Sequence, residues 1–138
     1  MTTPSSLTGI CRCASPYLLS ALRIVCGLLL LNFGTMKILG FPAGMSPPVG
    51  SLSWVAGMLE LCLGFLVAIG LFTRPAAFVL SGLMAAAYFI GHFPKSFFPS
   101  LNGGMAAAAL CFVFLYVAAA GAGPISIDAL RDRGRTER

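Results

Sequence analysis

Glu60 is the one charged residue between Leu52 and Phe72, set in the run GMLELCLGF at 57–65. A carboxyl in such surroundings can take or give a proton, hold a ligand, or fasten one helix to another through a hydrogen bond. The side chains able to share that chemistry are few. They are Lys37, Tyr88, His92 and Asn102: an ammonium, a phenol, an imidazole and a carboxamide. Glu60, His92 and Tyr88 are the candidates for proton transfer, since a histidine titrates near neutrality. Lys37, Glu60, Tyr88, His92 and Asn102 are the candidates for contact with a small polar ligand. The structural alternative stands beside this reading: a neutral or paired acid that locks helices together, and a histidine that is simply interfacial.

Other chemistries find less support. A chain with one histidine cannot supply two histidines to a haem, and no histidine–carboxylate cluster suggests a resident metal. Cys11 and Cys13 form a C-x-C pair with no further ligand nearby, and Cys26, Cys62 and Cys111 fall in apolar stretches as small packing residues. No phosphate-binding loop, dinucleotide fingerprint or nucleophile elbow occurs; GAGPIS at 121–126 has glycines but no preceding strand.

The elements that position these residues follow from composition. Hydrophobic residues make up 58% of the 138 and charged residues 9%, with a mean hydropathy of +0.92. Soluble domains carry about 25% charge, so this chain takes lipid as its solvent. Four stretches approach the roughly 20 residues needed to cross a hydrocarbon core: 16–39, 52–72, 76–93 and 104–120. Breakers separate them: GFPAGMSPPVGS at 40–51, TRPA at 73–76 and FPKSFFPSLNGG at 93–104. The expected fold is all-α, a four-helix transmembrane bundle. A segment 1–15 precedes the domain 16–121, and a polar, basic tail 122–138 follows it. The first span is too long for a cleaved signal sequence.

With four crossings both termini lie on the side of the 73–76 turn. That side carries Arg12, Arg23, Arg74, Arg131, Arg133, Arg135 and Arg138, and the other only Lys37 and Lys95. The positive-inside rule then places both termini in the cytoplasm. The net charge of +5 reports this topology rather than nucleic acid, because the basic residues are dispersed.

Depth and face narrow the site. Counting ~1.5 Å per residue from mid-span puts Glu60 ~3 Å and Tyr88 ~5 Å to the outer side, with Lys37 and His92 ~11–13 Å out. Helical neighbours fall at i+3, i+4 and i+7. Gly57, Glu60 and Gly64 therefore share a face, as do Ser81, Ala85, Tyr88 and His92, and as do Arg23, Gly27, Gly34 and Lys37. Asn32 lies opposite its helix's stripe. These small-and-polar stripes point inward, and the partners in reach of Glu60 are Tyr88 and His92, with Lys37 if its stem reaches down; depth favours Tyr88.

The ordered motifs resemble a known family. LRIVCGLLLLNFGTMKILGFP (22–42), SWVAGMLELCLGF onward to LNGG (53–104) and FVFLYVAAAGAGPISIDALR (112–131) look like the DoxX family of small bacterial four-helix membrane proteins. They carry, in order, G-x-x-K at Gly34 and Lys37, E-x-x-x-G at Glu60 and Gly64, the GLFTRP turn, AYF-x-x-H, NGG and G-x-G-P-x-S-x-D. Phe33, Met36 and Met105 stand where relatives often carry histidine, glutamine and glutamate. The resemblance implies either a redox-linked subunit, with quinone or a small sulfur compound bound in the outer half and a redox partner protein, or a non-catalytic scaffold or small-solute carrier. No intrinsic cofactor is expected, and a homo-oligomer is compatible with either reading.

Overall fold

The computed structural model describes residues 6–136; its regular elements are all helices, with no strand among the described residues. Helix α1 spans Ser6–Ile38, α2 Leu52–Ile69 and α3 Thr73–Ala87, which runs on as a π-helical turn over Tyr88–His92. A short α4 (Pro99–Asn102) leads into α5 (Met105–Ala120), and α6 (Ile127–Thr136) closes the chain. Cys11–Ile38, Leu52–Ile69 and Thr73–His92 are long and apolar enough to cross a membrane; Met105–Ala120 is apolar but shorter.

Several boundaries differ from those the sequence suggests, each for a local reason. Helix α1 starts at Ser6, not at Pro16, so most of the expected segment 1–15 is helical; residues 1–5 lie outside the described residues. A proline inside a helix forfeits the bond from its own nitrogen to the carbonyl four residues back, here that of Arg12, and the helix continues past it. Helix α2 ends at Ile69 rather than Phe72 because Gly70 turns left-handed (φ 73°) and its amide closes back onto the last turn. Helix α3 begins at Thr73 rather than Ala76, because the Asp128 carboxylate accepts from the amides of Phe72 (3.0 Å) and Thr73 (2.9 Å). Within the expected polar tail 122–138, the first part is pinned against the helices and α6 follows. Residues 137–138 lie outside the described residues.

Helix α1 packs most closely on α2, and α3 on α5, while α2–α3 and α1–α5 contacts complete the set. Cys26, Leu30, Val67, Leu80, Met84, Leu110, Phe114 and Val117 are buried together, so the core draws on all four long helices. Leu18, Val25, Phe65, Phe78, Phe112 and Leu115 are exposed on their outer surfaces, an apolar belt too extensive for a water-facing protein.

The α1–α2 seam is built on glycine. A Cβ on Gly34 would fall 2.6 Å from the Leu61 nitrogen, one on Gly27 2.7 Å from the Ala68 nitrogen, and one on Gly64 2.9 Å from the Leu31 nitrogen. Backbone thus lies on backbone, as small residues permit in membrane helices. This approach sets the geometry of the site.

Candidate functional site

Two polar groupings occupy the loop end of the molecule, where the 39–51 and 93–104 connections lie. In the first, Lys37 Nζ donates to both carboxylate oxygens of Glu60, at 2.7 and 2.8 Å. The seam makes this possible. Gly57 is one turn before Glu60 on the same face, and a Cβ there would sit 2.7 Å from Lys37 Cβ. The lysine stem therefore lies across Gly57 and delivers its ammonium to the next turn. The Glu60 side chain is 4% exposed and that of Lys37 15%, so the acid is enclosed while the base keeps a route outward.

The partner of Glu60 is accordingly Lys37 and not Tyr88. Depth counted along the backbone favours the tyrosine, but a lysine stem spans more than a helical turn and the α1–α2 approach is closer than α2–α3. Tyr88 instead joins the second grouping. Its hydroxyl donates to the Phe97 carbonyl at 3.4 Å and accepts from Asn102 Nδ2 at 3.5 Å. Asn102 also donates to the Ser96 carbonyl (2.9 Å) and accepts from the Gly104 amide (2.7 Å), while His92 Nδ1 lies 3.1 Å from the Asn102 carbonyl. Since a carbonyl can only accept, the ring there carries its proton on Nδ1. Asn102 thus organises the π-helical end of α3, α4 and the start of α5. Among the described residues no hydrogen bond joins this grouping to Lys37 and Glu60, so the five residues read as one site form two.

Sequence reasoning missed the role of Arg23. Its side chain is fully buried, and its guanidinium donates to the carbonyls of Val67, Ala68 (2.7 Å), Ala122 (2.8 Å) and Ile125. It satisfies the open carbonyls at the end of α2 and ties down the chain beyond α5. Arg74 does the same for α5, donating to the Ala119 carbonyl at 2.7 Å, and Asp128 serves the start of α3. Cations at two helix C-termini and an anion at an N-terminus agree with the helix dipoles. Burial pushes the Asp128 carboxyl up, but hydrogen bonds from Thr73 and Phe72 and the charge of Arg131 outweigh it and hold the carboxyl below its ordinary value. The signal was present: an arginine on the glycine face of an apolar helix, at the level where α2 runs out.

Of the cysteines, Cys26 is buried, Cys111 is half-buried and its carbonyl accepts from Ser81 Oγ at 2.8 Å, and Cys62 is exposed rather than packed. Cys11 and Cys13 are exposed on α1. Among the described residues no three of histidine, cysteine, aspartate and glutamate come together as a metal site would require. Asn32 is exposed, away from the seam, beside Met36.

The fold and these buried charges define a multi-pass helical membrane protein with apolar outer faces. Comparison with known proteins agrees: the DoxX family model matches residues 18–93, and a protein of Haemophilus influenzae, described only as an uncharacterized protein, is 42% identical over 120 residues, covering 82% of this chain and 90% of that one. The chain belongs to the DoxX family. No solved structure matches it.

Proposed function

We propose that this protein is a redox-linked subunit of a bacterial inner membrane, with the Lys37–Glu60 pair as the point where a small polar headgroup meets the helices. The observation that carries the reading is the bidentate use of Lys37 at an enclosed acid. An ammonium has three N–H groups, and two are spent on Glu60. The third can donate to a quinone carbonyl or to an oxygen or sulfur of a small sulfur compound arriving from the loop end. Ionisable residues inside a membrane are costly and mark functional sites by default. In this reading electrons come from a partner redox protein, and Lys37 and Glu60 orient the acceptor and supply or receive its proton.

Four crossings belong to the same proposal. Helix α5 packs along α3; its start adjoins the end of α3 through Asn102, and its end is held by Arg74 at the start of α3. It therefore runs antiparallel to α3 over the same thickness, despite spanning only ~24 Å at ~1.5 Å per residue. Both termini then share the side rich in arginine.

A second reading has its own support. The pair is internally satisfied and sits on a seam with no slack, as a scaffold or partner subunit would have it. Purification with bound lipid-soluble molecules, identified by mass spectrometry, separates the two. A quinone or sulfur compound retained by the parent and lost in Glu60→Gln, with folding intact, supports the redox subunit. Equal retention, or none in either, supports the scaffold.

A further inference from the structure

At the turn end, a cavity of about 430 Å³ lies between α6, the start of α3 and the chain leaving α5. Its size is within the range of small-molecule sites. Arg74, Arg131 and Arg135 line it, together with the backbone of Gly121 and Gly123 and the ring of Phe72. We propose that this cavity binds the phosphate of an anionic phospholipid, in the leaflet that meets this end of the molecule.

The residues of α6 are arranged for it. Asp128, Arg131, Asp132 and Arg135 line the cavity and follow the i, i+3, i+4, i+7 spacing of one helical face. Ile127 and Leu130 fall on the neighbouring face and are exposed, as is Ile125 just before the helix. A helix with such a division lies in the interface, its apolar side toward the acyl chains and its arginines at the headgroups. Basic pockets beside membrane helices are suited to anionic headgroups.

The charges inside the cavity are unequally free. Asp128 is engaged with the amides of Phe72 and Thr73, and Arg131 stacks over the Phe72 ring at 5.2 Å. Arg74 uses Nη1 on the Ala118 and Ala119 carbonyls. Its Nη2 faces Gly121, where a Cβ would stand 3.3 Å away, so the absence of a side chain there leaves this edge of the guanidinium open. Arg135 is exposed at the rim. Nearby, Phe72, Ile127 and Leu130 offer apolar surface to the chains of the same lipid, which a free phosphate ion would not use. That is the reason to assign the site to a lipid.

The test measures binding of dioleoylphosphatidylglycerol to the full-length detergent-solubilised protein by native mass spectrometry, against dioleoylphosphatidylcholine and against inorganic phosphate. The expected result is preferential retention of phosphatidylglycerol, with Arg135→Gln weakening it roughly fivefold, the share of one arginine at a charged surface. Arg133→Gln, which removes the same charge from α6 outside the cavity, should leave it unchanged. Circular dichroism establishes that both variants keep their helices. Equal binding of the two lipids, equal loss in Arg133→Gln and Arg135→Gln, or displacement of phosphatidylglycerol by millimolar phosphate would each overturn the proposal. Should Arg135→Gln fail to fold, Arg135→Lys, which keeps the charge, must retain the preference; its loss there counts against the site.

Discussion

Lys37 and Glu60 are joined across the α1–α2 seam by two hydrogen bonds from one nitrogen, at 2.7 and 2.8 Å, and the two ends of the pair are not equivalent. Lys37 can withdraw along its stem toward the loop end, as long cationic side chains do. Glu60 cannot, being almost wholly enclosed. Lys37→Met should therefore destabilise the protein more than Glu60→Gln. Removing one member of a buried pair typically costs ~3–5 kcal/mol, whereas replacing both by apolar residues is often neutral. Thermal unfolding in detergent of Lys37→Met, Glu60→Gln, Glu60→Met and the Lys37→Met/Glu60→Met double variant checks both statements. Simply additive losses would mean that the pair is not coupled.

Filling a helical glycine gives opposite outcomes inside and outside the α1–α2 seam. Gly64→Leu pushes a side chain into the backbone of α1, where a first carbon already finds the Leu31 nitrogen at 2.9 Å, and should lower stability by ~1–3 kcal/mol or more. Gly82, inside α3, has nothing within 4 Å of the position a methyl group would take, so Gly82→Ala should stabilise by ~0.5–1 kcal/mol through helix propensity. Unfolding midpoints of the two variants should move apart from the parent.

How far the site could be read from sequence differs residue by residue. The face shared by Gly57, Glu60 and Gly64 was legible, because helical periodicity fixes which residues align and all three are buried. The choice among the partners in reach was not, because depth counted in Cα positions favours Tyr88 over Lys37 and cannot show the closeness that glycine allows. The order inside 122–136 was hidden for another reason. Its arginines and aspartates read as a solvated run, and only the fold brings Asp128 to the start of α3 and the Ala122 and Ile125 carbonyls to Arg23.

Asp128 makes stability depend on acid. Its carboxyl is held below the ordinary value in the folded protein, so its contribution is complete above about pH 4, the unfolded value, and is lost as pH falls through the lower folded value. Thermal scans between neutral and strongly acidic pH should show the parent losing an increment that Asp128→Asn lacks throughout. Parallel curves would assign the acid sensitivity elsewhere.

Topology separates three crossings from four. A reporter fused after Arg138 is expected to behave as cytoplasmic and one inserted near Ala43 as external. With three crossings, and the first placed the same way, the terminal reporter would be external instead.

Arg23 closes a circuit in time as well as in space. Synthesis delivers it with the first helix, yet its acceptors come from Val67, Ala68, Ala122 and Ile125, the last about a hundred residues later. Until the far end of the chain emerges, a guanidinium with half its partners sits at the membrane, exposed to water or headgroups. The first helix therefore cannot settle at its final depth on its own, and the segment that follows α5 is what seats it.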